Sequence, residues 1–205
     1  MSITHGYATL VDVKAASASV AAHGTANDSV LERCIEAASR GVDQYTHRRF
    51  YTDGTAEVRV YAATNCEWVD IDDLASDTFT LKTATTLLRS YDVTWSSDDY
   101  QAEPLNRNVG GAPVPITRLR AIGAYSFTPS HISTVQVTGT FGYATAVPTE
   151  VTEATILLSL RRFARLQSPT GVQSGEFGPV YISRRTDPDV AATLDRLRRS
   201  VIGVA

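Results

Sequence analysis

The chain has 205 residues, of which 43% are hydrophobic and 20% are charged, and its formal net charge is −3. This composition excludes a disordered chain, and apolar runs such as Ile156-Leu157-Leu158 are too short to span a membrane. Two cysteines exclude a disulfide scaffold or a four-thiolate zinc site, and the mildly acidic balance does not indicate binding of nucleic acid through bulk charge.

The N-terminal part is predicted to be helical. A short helix is expected from about Leu10 to Ala16, and a loop from Ala21 to Asn27. A long helix is predicted from Ser29 to His47, because Ser29 and Glu32 have the spacing of a capping box. Apolar residues recur along this helix at three- and four-residue steps, which is typical of a helix that buries one face. They are Leu31, Cys34, Ile35, Ala38, Val42 and Tyr45, and Cys34 is therefore interpreted as a core thiol.

From Glu57 the pattern changes to the two-residue alternation of β-strands. Closely spaced strands favour an antiparallel sheet over a parallel one that needs crossover helices. The turn-prone Thr64-Asn65 is expected to join the first two strands, and Asn106–Pro115, with two glycines and two prolines, is expected to be a loop. The predicted strands are Glu57–Tyr61, Glu67–Ile71, Thr78–Leu81, Leu87–Arg89, Asp92–Trp95, Tyr100–Glu103 and Ser133–Phe141.

Helical periodicity returns at Pro148, and a second long helix is predicted to run to about Leu166. Its middle, Ala154–Leu160, is apolar on almost every side, so it needs covering by its own domain and by a neighbouring subunit. Residues 171–187 are expected to form an extended arm. A last helix is predicted from Pro188 to Val201, with an apolar stripe of Val190, Leu194, Leu197 and Val201.

The predicted fold is therefore α+β. Two long helices plus a C-terminal arm and helix form a helical framework, residues 1–55 and 144–205. Residues 56–143 form an inserted, small antiparallel β region. The charge follows this division, because residues 51–103 contain eleven acidic and three basic residues, whereas residues 143–205 contain eight arginines. Such asymmetry suits an assembly subunit and a substrate-binding protein equally.

No catalytic motif is present: the four histidines are scattered, and H-E-x-x-H, G-x-S-x-G and C-x-x-C are absent. We therefore predict neither enzymatic activity nor a cofactor. The glycines of Gly139-Thr140-Phe141-Gly142 lack the lysine and spacing of a phosphate loop and are interpreted as allowing tight turns or close backbone approach. An acidic cluster could hold a hard cation, but it lacks the EF-hand pattern, so a solvated loop between strands is the favoured interpretation. This cluster is Asp70, Asp72, Asp73 and Asp77.

Three arginine pairs are candidates for contact with DNA phosphates. The alternatives are ion pairs between subunits and helix capping, which the acidic residues on the same elements favour. The pairs are Arg48-Arg49, Arg161-Arg162 and Arg184-Arg185.

Several segments together resemble the head–tail connector (adaptor) proteins of tailed phages. Leu31–Ser39 and Tyr45–Tyr51, which ends in Arg-Arg-Phe-Tyr, are similar to the family's first long helix. Gly139–Tyr143, followed by Val147-Pro148 and an apolar helix, is similar to its G-x-F-G-[WY]…V-P segment. The similarity continues through Ser168–Val172, Phe177-Gly178 and Asp187–Val190, and Trp68–Leu74 and Asp99–Pro104 have counterparts in members with a β insertion.

The resemblance implies a structural virion protein located in the neck, at the head–tail interface, and made in the host cytoplasm. It implies a homo-oligomeric ring, commonly a dodecamer, below the portal protein, with a stopper or tail-completion protein on its far side. Double-stranded DNA would pass through the ring without specific binding, and no membrane is involved. The alternatives are a stopper or tail-completion protein of the same neck and, more remotely, a metal-dependent enzyme that uses the acidic β region.

The resemblance also assigns roles to two sets of residues. The portal-docking set is Phe177, Val180, Ile182, Arg184, Arg185, Leu194 and Leu197. The ring-wall set, on the two long helices, is Leu31, Ile35, Val42, Tyr45, Val151, Ile156, Leu158 and Leu160.

Overall fold

The computed structural model describes residues 3–21, 24–85, 90–109, 112–167, 172–175, 178–181 and 187–199. The helices are α1 (Leu10–Ala15), α2 (Ala18–Ala21), α3 (Asp28–Thr46), α4 (Thr149–Gln167) and α5 (Pro188–Asp195). The strands are β1 (Glu57–Tyr61), β2 (Trp68–Leu74), β3 (Thr80–Thr83), β4 (Val93–Thr94), β5 (Tyr100–Glu103), β6 (Asn108–Val109), β7 (Ala112–Pro113), β8 (Ile116–Ala121), β9 (Val135–Gly139), β10 (Val172–Gly175) and β11 (Gly178–Tyr181).

The chain divides into two compact units. The helical unit comprises Met1–Arg48 and Val147–Ala205, and the β unit comprises Arg49–Ala146. The predicted α+β class is confirmed: the described helices belong to the helical unit, which also contains the β10–β11 hairpin, and the other antiparallel sheets belong to the β unit. None of the helices in the described part of the chain combines the length and the apolar character that a membrane span requires.

The core of the helical unit forms where α3 packs against α4. Ile35 is fully buried in a cluster that includes Ile156 and Phe163. Cys34 is also buried, which confirms its predicted place in the core, and burial raises the pKa of its thiol. The stripe predicted for α3 is confirmed, since all its members are buried except Tyr45, which is half-buried.

The start of α3 corrects the predicted capping box. The helix begins at Asp28, because the Asn27 carbonyl already accepts a hydrogen bond from the Leu31 amide (2.9 Å). Ser29 therefore lies inside the first turn, where its hydroxyl cannot cap the helix. A capping box does occur at α1, where Thr9 accepts from the Asp12 amide (3.2 Å) and Asp12 accepts from the Thr9 amide (2.9 Å). The short α2, whose last residue is Ala21, was not predicted.

The C-terminal helix is shorter than predicted. It ends at Asp195, and the Arg199 amide beyond it donates to the Thr46 carbonyl at the end of α3 (2.8 Å). Asp187 caps its start by accepting from the Asp189 amide (3.1 Å), and Pro188 occupies the first helical turn. Val201, predicted to be in this helix, lies outside the described residues.

The β unit contains two main antiparallel sheets rather than one. One has the strand order β1-β9-β3-β4, the other β2-β8-β5, and β6 and β7 form a small hairpin. Their apolar faces share one core, in which Leu81, Leu119 and Phe141 are fully buried. Val135, Val137, Gly139 and Phe141, at alternate positions of the predicted strand Ser133–Phe141, are all buried. Consecutive strands β1 and β2 belong to different sheets, so the turn between them does not form a hairpin.

Asn106–Pro115 is not only a loop, because it contains the β6–β7 hairpin. Strand β8 was not predicted: its buried residues Ile116 and Leu119 are three positions apart, so its sequence lacks the two-residue alternation of a half-buried strand. The strand predicted at Leu87–Arg89 lies outside the described residues.

Candidate functional site

Most of the acidic cluster lies in a strand and not in a loop. Asp70, Asp72 and Asp73 are on β2, Asp77 is in the segment that follows it, and Asp70, Asp72 and Asp77 form ion pairs with arginines. Arg118 Nε donates to Asp70 (2.7 Å), Arg59 Nη1 donates to Asp72 (2.9 Å), and Arg107 pairs with Asp77. Within the described residues, no group of three or more His, Cys, Asp or Glu side chains is placed to hold a metal ion. The cluster therefore connects strands electrostatically.

The outer face of the β2-β8-β5 sheet is organised around Trp68. The register of β2 against β8 places Arg118 and Arg120 beside its ring, and each guanidinium carbon lies 5.3 Å from a ring centroid. Arg120 Nε also donates to Glu103 of β5 (2.8 Å). A planar guanidinium can bond a carboxylate and stack on an aromatic ring at once, which lysine cannot do. Arginines make up 17 of the 19 basic residues of the sequence, and these two have their partners within the chain.

A second ion-pair network is centred on Glu57, the first residue of β1. Arg49 and Arg59 both donate to the Glu57 carboxylate, and Arg49 Nη2 also donates to the Phe141 carbonyl (2.7 Å). The Arg59 guanidinium lies 4.2 Å from the centroid of the Phe141 ring. Burial alone would raise the pKa of Glu57, but the hydrogen bonds and charges of the two arginines outweigh it, so the pKa of this carboxyl is lowered.

This lowered pKa predicts a loss of stability in acid. A carboxyl whose pKa is lower in the folded than in the unfolded state contributes its full stabilisation above the unfolded value of about 4.3, and loses it as the pH falls through the folded value. We expect Glu57→Gln to lower the free energy of unfolding at pH 7 by about 1 kcal/mol, because the pair is partly exposed. Urea denaturation at pH 7, 5 and 3 should show this difference shrinking towards pH 3. The exposed Asp98→Asn is the control, and an equal pH dependence in both variants would contradict the assignment.

In the helical unit, a groove lies between the first turns of α4 and α5. Its volume is about 380 Å³, and most of its surface is apolar. Ala154 and Val190 are buried at its floor, and Leu157 remains 52% exposed beside them. The other lining residues are Thr149, Glu150, Glu153, Asp189 and Thr193, so three carboxylates surround an apolar floor.

The ring-wall residues predicted on α3 and α4 are mostly core residues of the chain itself. Leu31, Ile35, Val42, Val151 and Ile156 are buried, whereas Tyr45, Leu158 and Leu160 are half-buried. The Tyr45 hydroxyl donates to Asp195 (2.7 Å), and this hydrogen bond raises the pKa of Tyr45. The residue of α4 left uncovered in its apolar middle is Leu157, which the prediction missed. Its place on the same helical face as Glu150 and Glu153 was the available signal.

The structure describes three of the seven predicted portal-docking residues. Phe177, Ile182, Arg184 and Arg185 lie outside the described residues. Val180 lies on β11, which pairs with β10 in an antiparallel hairpin. Leu194 is 1% exposed on the inner side of α5, so a contact through this side chain would require α5 to leave its place. Leu197 is half-buried after the end of α5.

Two of the arginine pairs include members with partners in the chain. Arg49 belongs to the Glu57 network, and Arg161 pairs with Asp187 (3.6 Å) just before α5. Arg162 lies over Gly41 of α3, since its Nη2 would be 3.0 Å from a Cβ at that position. These contacts favour structural roles over phosphate contact.

Comparison with known proteins gives matches only at the level of structure. No family model matches the sequence, and no curated protein matches it significantly. Solved structures of gene transfer agent particles, however, contain chains with a similar fold. A chain from the neck of an empty particle computed with C6 symmetry has a TM-score of 0.56 at 16% identity. One from the neck of the native particle computed with C12 symmetry has a TM-score of 0.55 at 15% identity.

A chain from the virion of the native gene transfer agent gives the same result, with a TM-score of 0.56 at 16% identity. In all three comparisons the match covers 99% of this chain and 96% of the other. The similarity therefore includes both the helical and the β unit. At this level of identity it demonstrates a shared fold.

Proposed function

We propose that this chain is a structural protein of the neck of a tailed-phage-like virion, and specifically a head-to-tail adaptor that forms a ring below the portal. The observation that carries the proposal is the end-to-end similarity of fold to neck proteins of gene transfer agent particles. A match over part of the chain would be expected for two proteins that share one domain but have different functions. A match over 99% of this chain and 96% of its counterpart favours the same kind of part.

The ring is supported by the symmetry of the related assemblies and by the surface of α4. The similar chains come from necks computed with C6 and C12 symmetry. Leu157, which is 52% exposed beside the apolar floor of the groove, supplies apolar surface for a contact with another subunit. We propose a homo-oligomer, with twelve copies as the expected number.

The charge of the chain suits a channel for DNA. A net charge of −3 avoids the strong attraction to phosphates that a basic lumen would exert on moving DNA. We propose that double-stranded DNA passes through the ring without specific binding, that the protein is not an enzyme, and that it needs no cofactor. Its protein partners are the portal and a stopper or tail-completion protein.

The arm, residues 171–187, provides the test of the adaptor role. We expect replacement of residues 171–186 by a Gly/Ser linker to reduce co-purification with the portal by about tenfold or more. Val190 and Leu194 are buried in α5, which this variant retains, so the helical unit should stay folded. The matched control shortens the β6–β7 hairpin of the β unit and should leave portal binding unchanged.

Negative-stain microscopy of the portal complex should show an added ring in the wild-type sample and none in the arm variant. Unchanged portal binding by the arm variant would contradict the docking role of the arm. A wild-type protein that binds a stopper or tail protein but ignores the portal would instead support the alternative of a stopper or tail-completion protein.

A further inference from the structure

The groove between α4 and α5 carries negative charge that the described part of the chain does not balance. Glu150, Glu153 and Asp189 surround it, and the described residues supply no ion pair to any of the three. The N-termini of α4 and α5 stabilise these carboxylates, which accounts for the acids. It does not account for Leu157, an exposed leucine beside the apolar floor. The groove can therefore bind an apolar side chain on its floor together with a cationic side chain beside its carboxylates.

The opposite end of α4 carries such a pair. Arg165 and Leu166 are exposed in the last turn, Leu166 to 55%, and the described residues offer Arg165 no ion pair. Leu166 follows Leu157 by nine positions in the sequence. At 100° per residue they point to opposite sides of the helix, about 14 Å apart along its axis. Arg165, eight positions after Leu157, points about 80° away from it. The helix thus presents an acidic, apolar patch near its N-terminus and a basic, apolar patch in its last turn.

We propose that the groove of one subunit receives Arg165 and Leu166 of a second copy of this chain, and that this contact joins neighbours in the ring. This inference rests on the proposed function. Because the two patches differ and lie at opposite ends of one helix, a ring in which each subunit uses one patch for each neighbour has a heterologous, head-to-tail contact, which closes when the rotation between neighbours allows it. Burial of Leu166 against Leu157 would supply apolar area, and Arg165 would neutralise carboxylates at the rim.

Charge reversal tests the contact through self-association. Glu153→Arg and Arg165→Glu are each expected to weaken assembly by about tenfold or more, measured by analytical ultracentrifugation and negative-stain microscopy. Each variant alone places like charges at every contact. The double variant carries the swapped pair and should assemble again.

A mixture of the two single variants gives a sharper result. Because each subunit contributes one patch of each kind, a Glu153→Arg subunit fits only beside an Arg165→Glu subunit, on both sides. We therefore expect mixed rings with a 1:1 composition, which native mass spectrometry resolves. The matched control is Asp98→Arg, a charge reversal at an exposed position of the β unit, which should assemble as the wild type does.

If the subunits associate only weakly, disulfide cross-linking detects the contact. The variants carry Cys66→Ser, because Cys66 is exposed. Leu157→Cys mixed with Leu166→Cys should give disulfide-linked dimers, whereas Leu105→Cys mixed with Leu166→Cys should not, although Leu105 is 67% exposed. Rings that are insensitive to both charge reversals would overturn this contact and leave the proposed function standing. Absence of any ring, in solution or on the portal, would overturn the proposed function as well. Circular dichroism confirms that each variant is folded.

Discussion

Gly142→Ala is expected to lower the free energy of unfolding of the β unit by about 3 kcal/mol or more. Gly142 has φ +137°, a conformation that side chains rarely adopt, and a Cβ at this position would lie 2.3 Å from the Tyr51 carbonyl oxygen. The segment cannot move aside easily. The Gly142 amide donates to the Asp73 carbonyl (2.8 Å), and the next amide, of Tyr143, donates to the Arg49 carbonyl (2.8 Å).

Chemical denaturation followed by circular dichroism measures the effect. Two other glycines of the β unit provide matched controls, since Gly54 (φ +69°) and Gly123 (φ +70°) also have positive φ but open space where a Cβ would be. Alanine at either position should cost only about 1 kcal/mol, the conformational cost alone. Equal losses at all three positions would show that the close approach at Gly142 is not the cause.

Ile35→Ala is expected to destabilise the helical unit by about 3 kcal/mol. Ile35 is 0% exposed, and its cluster joins α3 to α4 through Ile156 and Phe163. Shortening the side chain removes apolar contacts and leaves a cavity between two helices that are fixed along their length. Thermal unfolding, followed by the helical signal in circular dichroism, provides the measurement.

Leu157→Ala is the control on the outer side of α4. Because Leu157 is half exposed, its truncation should change the free energy of unfolding by only about 0.5 kcal/mol. It should nevertheless weaken self-association if the groove receives a second copy. The two variants thus separate the packing of the helical unit from the assembly of subunits, and a large loss of stability in Leu157→Ala would contradict this division.

The long helices were predictable because their signals are local. Apolar residues repeat along the 19 residues of α3, so the helix is predicted even when its first and last residues are not. The predicted first residue of α3 was wrong. Ser29 and Glu32 have the spacing of a capping box, but the helix already begins where the Asn27 carbonyl accepts from the Leu31 amide, and this hydrogen bond depends on backbone geometry that the residue pattern does not report. The interpretation of Gly139-Thr140-Phe141-Gly142 as a place of close backbone approach is confirmed at Gly142.

The arrangement of the β unit depends on long-range pairing, which a local pattern does not report. Strand β9 pairs with both β1 and β3, although β1 is more than 70 residues away in sequence. The aspartates of β2 have the composition of a solvated loop, and only their pairing partners, such as Arg118 on β8, account for their presence in a strand. The sequence likewise does not show which of the neighbouring apolar residues Ile156 and Leu157 is exposed. In the structure Ile156 is buried and Leu157 is not.

The position of the two tryptophans has a practical consequence. Trp68 lies beside two arginines on the outer sheet face, and Trp95 lies in the core, 4.7 Å from the ring of Phe127. Both belong to the β unit. Intrinsic tryptophan fluorescence therefore reports only on the β unit, whereas the ellipticity at 222 nm is dominated by the helical unit. Recording both signals in one denaturation experiment would show whether the two units unfold together, without any labelling of the protein.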